Sequence, residues 1–194
     1  MGEYVYVEDS PGDVATISYL EWELLPLATT GVSLDLRPFH FLSVGGEARF
    51  PLTRRTGSME NSDYLNSLDR SERTHFSEHT AVVDSFRDFR IDLSGILDLR
   101  ELGDLPAAVG LGLRYRDRFV KMHALNGFYD YPDSSGDVTG VPISYEQHQR
   151  ALLGRISAEL SPLPTFGLSA SVAFSPFTRV DALDHHHRRL LDFI

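Results

Sequence analysis

Apolar and polar residues alternate one by one along this chain, in segment after segment. Val32, Leu34 and Leu36 alternate with Ser33, Asp35 and Arg37. Phe89, Ile91, Leu93, Leu97 and Leu99 alternate with Arg90, Asp92, Ser94 and Asp98, with one interruption at Ile96. The same rhythm holds for Val109–Tyr115, Ile156–Leu160 and Phe166–Phe174. A period of two places successive side chains on opposite faces of a β-strand, and no stretch carries a helical period. The chain is therefore all-β.

The polar face separates two architectures. A soluble sandwich turns polar residues to water, whereas a transmembrane barrel turns charged and small residues into its lumen and apolar ones to lipid. Here Arg, Asp and Glu stand mid-strand beside Gly and Ser. Short breaks at 37–39, 101–106 and 161–164 alternate with long polar breaks near 55–80, 125–142 and 178–189. Outer-membrane barrels alternate short periplasmic turns with long external loops, so the barrel is the better reading. The pattern predicts strands at 3–8, 14–36, 40–54, 83–99, 107–124, 143–160 and 165–177, and another beginning near 190. Several exceed the ~9–11 residues that cross a bilayer and should project beyond it. Strands reach both chain ends, and open edges are a liability, so a barrel incomplete at both ends is expected.

Composition narrows the function. The 194 residues suit one domain, 1–194, and the formal charge of −10 opposes nucleic-acid binding and suits cationic partners. There is no cysteine, which excludes disulfides and zinc–thiolate sites. No apolar run is long enough for a transmembrane helix, and Met1-Gly2-Glu3 passes straight into Tyr4–Val7 without a signal-peptide pattern.

Chemistry concentrates in two polar clusters at strand ends. Asp184 and His186 are two apart, so on a strand they share a face, and the carboxylate can orient the imidazole as a general base. The second cluster is Ser58-Met59-Glu60-Asn61-Ser62-Asp63-Tyr64. His185, His186 and His187 cannot all meet one metal ion on a strand, and no metal site is expected. His75 and His79, beside Glu78, read as loop surface. Trp22 reads as an interfacial girdle residue.

Several segments, in order, resemble the omptin family of outer-membrane endopeptidases. Glu3-Tyr4-Val5-Tyr6 resembles the end of that family's first strand, and Ile17–Trp22 its S-x-L-D-W segment. Gly57–Tyr64 resembles its G-x-M-x-D-x-D-W loop, and Ile143–Gln147 its I-x-Y-x-Q strand start. Phe174–His186 resembles the strand leading to D-x-H. The resemblance implies an antiparallel up-and-down barrel in the bacterial outer membrane, monomeric when complete, with strands beyond both ends of this chain. It implies a cleft facing the cell exterior and cleavage of cationic peptides or proteins near basic residues. It implies catalytic roles for Asp63, Asp184 and His186, and a substrate-binding role for Glu3. The family's other loop Asp falls on Asn61, which can place a water but cannot take its proton. A second acidic pocket position falls on Ala182, with Asp181 beside it. No cofactor is implied; outer-membrane lipid is a partner, and the resemblance leaves room for lipopolysaccharide dependence. The competing reading is a barrel that has lost proteolysis and serves as adhesin or receptor.

Overall fold

The computed structural model describes residues 2–10, 13–66, 69, 71–99, 105–163, 166–187 and 191–193; within these, side chains at 2–10, 13–16, 161–163, 166 and 191–193 are not described. The described residues form β1 (Gly2–Ser10), β2 (Asp13–Trp22), β3 (Thr29–Phe39), β4 (Leu42–Pro51), β5 (Arg55–Asp63), β6 (His75–Asp98), β7 (Ala107–Tyr131), β8 (Ser134–Val138), β9 (Ile143–Leu163), β10 (Phe166–His186) and β11 (Leu191–Phe193). All belong to one antiparallel sheet with the path β1-β2-β5-β6-β7-β9-β10-β11. No pairing joins β1 to β11 among the described residues.

β3 and β4 extend β2 and β5 toward the other end of the sheet. β5 pairs with the first part of β6 (Asp63↔His75 to Arg55↔Val82), and β4 with the second (Arg49↔Asp88 to Leu42↔Gly95). The single strand expected over 14–36 is thus two, interrupted around Pro26, which has no N–H to give to a ladder. Side-chain and backbone bonds bridge the break: Ala28 N–H donates to Thr53 Oγ1 at 3.0 Å, and Leu52 N–H to Ala28 O at 2.8 Å.

The segments expected as long loops are largely strand. β5 and the start of β6 lie within 55–80, the end of β7 and β8 within 125–142, and the end of β10 within 178–189. β6 and β7 reach 24 and 25 residues, about twice what a bilayer needs.

Two halves follow along the strands. At the end of the short connections, such as 40–41, apolar side chains point outward and ions inward. Leu111 is 65 % and Val172 74 % exposed, whereas Asp88 and Asp92 are buried. Asp92 accepts from Arg114 Nε at 2.6 Å and forms an ion pair with Arg90, whose Nε lies 2.9 Å away; Asp88 accepts from Arg116 Nε at 2.9 Å and Arg118 Nη2 at 3.1 Å. An apolar exterior over an ionic interior suits lipid outside and a lumen inside.

At the other end the interior is apolar. Leu20, Trp22, Met59, Ala81, Val83, Val120, Met122, Ala124, Ile143 and Tyr145 form one buried cluster. The change of parity has a local cause. A register shift between Val83 and Ser85 of β6 moves the buried positions from Ser77, His79, Ala81 and Val83 to Asp88, Asp92 and Ser94. One extra residue in a strand exchanges its faces. Trp22, expected at a girdle, is instead 1 % exposed inside this cluster, with its ring 6.3 Å from Tyr145.

Candidate active site

The apolar cluster borders a cavity, to which it contributes Ile143. Along β6, Ser77 lies twelve residues from outward-facing Phe89, about 40 Å of strand at 3.3 Å per residue. The site is therefore carried on the projecting part of the sheet.

One wall comes from β5 and β6. Directly opposed residues of antiparallel strands share a face, and the register gives Met59↔His79, Asn61↔Ser77 and Asp63↔His75. β2 supports this wall from behind its edge, with Leu20↔Asn61 and Ser18↔Asp63. Ser18 Oγ donates to Asp63 Oδ1 at 2.7 Å. Asn61 and Asp63 are both buried.

The other wall comes from β9 and β10. Asp184 is opposite Tyr145, and His186 opposite Ile143. Asp184 Oδ2 lies 2.8 Å from His186 Nε2. A carboxylate accepts, so Nε2 carries the hydrogen and Nδ1 is left as the basic nitrogen. Tyr145 OH accepts from Gln147 Nε2 at 3.0 Å, which fixes the phenol beneath the pair.

Asn61 and His186 line one cavity of about 340 Å³, together with Ser77, His79, Tyr129, Tyr131, Ser134, Val138, Pro142 and Ile143. β6, β7 and β9 separate β5 from β10 in the sheet, so the sheet curls enough to bring these walls face to face. Asp184 stands behind His186 rather than on the lining, and Asp63 is two residues along from Asn61.

Glu3 pairs through its backbone with Leu20, which pairs with Asn61; its side chain lies outside the described residues. Asp181 occupies the face opposite to Asp184, and its carboxylate meets Arg150 at 3.2 Å and Arg179 at 2.9 Å, so it does not take the place of an acid at Ala182, which packs against the apolar cluster. His185 and His187 also leave the cavity face. Their rings are 4.3 Å apart, and His187 Nε2 is 3.0 Å from Ser144 Oγ.

Two histidines read as loop surface are in strand β6. His75 packs against Tyr131, with the ring centroids 4.7 Å apart and the planes tilted by 60°. His79 is 4 % exposed and lines the cavity. The signal that finds it is the alternation Ser77, His79, Ala81, Val83, whose apolar members mark the inward face.

Known proteins resemble this chain in sequence and in fold. A model of the omptin family matches residues 1–194. The chain is 26 % identical over 184 residues to the plasminogen activator of Yersinia pestis, covering 91 % of this chain and 56 % of that protein. The crystal structure of the outer membrane protease OmpT from Escherichia coli superposes with a TM-score of 0.79 at 19 % identity, covering 96 % of this chain and 63 % of that one. The chain thus spans a little over half the length of the curated relative it matches. Strand order, inverted faces and the family model agree: this chain belongs to the omptin family of outer-membrane β-barrel proteins.

Proposed function

We propose that this protein is an endopeptidase that hydrolyses peptide bonds with water activated by His186. The observation that carries the reading is that Asn61 on β5 and His186 on β10 line one cavity, with Asp184 behind the imidazole. His186 Nδ1 takes a proton from the water as its oxygen attacks the scissile carbonyl. Asp184 stabilises the imidazolium through Nε2–H. The proton then passes to the amine nitrogen as the C–N bond breaks, with no covalent enzyme intermediate. Asn61 places the water through its amide. Asp63, held by Ser18, contributes a hydrogen bond to the water from the same wall.

Substrates are cationic peptides or exposed protein loops cut near a basic residue. The charge of −10 favours their approach, and Glu3 on β1 supplies a carboxylate toward the substrate. The cavity opens at the end of the longer connections, away from the 40–41 turn, and this end faces the cell exterior. Outer-membrane lipid surrounds the apolar half, and lipopolysaccharide is a candidate requirement for activity. The relatives point the same way: one is named a plasminogen activator and one an outer membrane protease.

The test is hydrolysis of a quenched peptide containing adjacent basic residues by the intact protein refolded in detergent. Turnover lost on blocking the cavity supports the reading. One observation favours a second reading, a surface adhesin or receptor: among the described residues that line the cavity there is no carboxylate. Folded protein with no turnover on any peptide selects that reading.

A further inference from the structure

The cavity is lined by two tyrosines, Tyr129 and Tyr131, that the mechanism does not use. They are two apart on β7 and share a face. Asn61, Ser77, Tyr129 and Gly136 form one row across β5, β6, β7 and β8. Directly opposed residues share a face, so both tyrosines stand on the face that carries Asn61. Tyr129 is two strands from Asn61 along this row, about 10 Å. The rings of Tyr129 and Tyr131 have centroids 4.9 Å apart and planes inclined by 53°. On its other side Tyr131 meets His75, again tilted rather than flat. Neither tyrosine is stacked face to face on these neighbours, so they leave π-face uncovered. Gly136 does the same for Tyr129. A Cβ there would lie 3.5 Å from Tyr129 Cε1 and 3.5 Å from its hydroxyl, and glycine puts no side chain in that space.

With no carboxylate among the described lining residues, a cationic side chain entering the cavity meets aromatic rings instead. A ring face attracts a cation through its quadrupole. The planar, weakly hydrated guanidinium stacks on such a face, whereas the ammonium of lysine is compact and strongly hydrated. We propose that Tyr129 and Tyr131 set the specificity of the site: their rings bind the guanidinium of an arginine beside the scissile bond. The cutting of that bond rests on the hydrolytic reading; the preference for arginine over lysine and over neutral side chains comes from the two rings.

The test uses the intact protein in detergent micelles and three quenched peptides. They differ only in the residue beside the cleaved bond, which is arginine, lysine or citrulline, the last an uncharged isostere of arginine. The arginine peptide should have a kcat/KM at least about fivefold above the other two. Tyr129→Leu and Tyr131→Leu should bring it down toward the citrulline peptide through a raised KM. Tyr131→Phe keeps the ring and should retain most of the discrimination. A preference for lysine overturns the proposal, and so does a Tyr131→Phe that loses the discrimination as fully as Tyr131→Leu, because the hydroxyl then acts. Leucine variants with the parent's ratio of arginine to citrulline overturn it whether or not their activity falls, because the rings then serve the fold alone. Should a leucine variant fail to fold, Gly136→Val decides: it lays a side chain against the Tyr129 ring, and an unchanged ratio there overturns the proposal. Equilibrium binding of the same peptides, fluorescently labelled, separates this from the hydrolytic reading. If the parent cleaves none of them, the hydrolytic reading falls. The aromatic site then stands on tighter binding of the arginine peptide that Tyr131→Leu abolishes, and equal binding of the arginine and citrulline peptides overturns it.

Discussion

Asp184 Oδ2 and His186 Nε2 lie 2.8 Å apart on the same face of one strand, and the His186 ring of that pair enters a cavity whose far wall carries Asn61. Two residues of spacing and the pleat of a strand suffice to build the pair. The curl of the sheet gives it something to act on.

Asp184→Asn should preserve the fold and lose most hydrolysis. The amide fills the same space but carries no charge to stabilise an imidazolium, and it can turn an N–H toward Nε2. A fall in kcat of roughly 100-fold or more is expected, with little change in KM. Peptide kinetics on detergent-refolded protein read both. A variant as fast as the parent removes Asp184 from the mechanism.

Asn61→Asp should raise turnover. Asn61 faces the cavity opposite Ser77, and a carboxylate there would bind and activate the water where the amide only places it. The increase belongs in kcat rather than KM. A drop in kcat with the fold intact would show that the amide itself is required.

Asp92→Ala should destabilise the barrel without touching the site. Asp92 holds both Arg114, at 2.6 Å, and Arg90, at 2.9 Å, in the interior of the half that faces lipid. Removing the anion takes this partner from Arg114, while Arg90 keeps Glu47, 2.9 Å from its Nη1, so the cost is about 1–2 kcal/mol. Denaturant unfolding in micelles measures this. A shift too small to resolve would mean that water already screens the network.

Mild acid should weaken the rim of the projecting half. Burial, then the positive charges of His185, His123 and His186, hold the His187 imidazole below its usual 6.5. The unfolded chain therefore binds a proton there more readily than the folded one. This contribution is absent well above pH 6.5, and stability falls as the pH drops through that value. Tm recorded from pH 8 to pH 5 should decline, and His187→Gln should flatten the slope. An identical slope in the variant would assign the acid sensitivity elsewhere.

The barrel half was legible because lipid and lumen impose opposite demands on alternate residues. Leu111 and Leu113 outward with Arg114 and Arg116 inward is the pattern as the sequence writes it. The projecting half was not. β5 reads Arg-Thr-Gly-Ser-Met-Glu-Asn-Ser-Asp; with water on one side and a polar cavity on the other, alternation disappears, and Gly, Ser, Asn and Asp are residues that strands usually avoid. The same reason hid the first residues of β6. His79 was missed for a further one, since its partner sits on a bulge at Asn126–Gly127 that no spacing rule places. Asp184 and His186 were found because their relationship is local to one strand. Trp22 was misplaced because its inward face is set by pairing with Met59, a partner far along the chain.

The most direct test of the whole account is the turnover of His186→Ala on folded protein. The protein, refolded in detergent and checked for native strand content, is given a quenched peptide with adjacent basic residues. A general base contributes roughly 100- to 10,000-fold, so the parent should cleave and His186→Ala should fall by that factor with its fold unchanged. Equal turnover in parent and variant would contradict it, because the ring that faces Asn61 across the cavity would then take no proton.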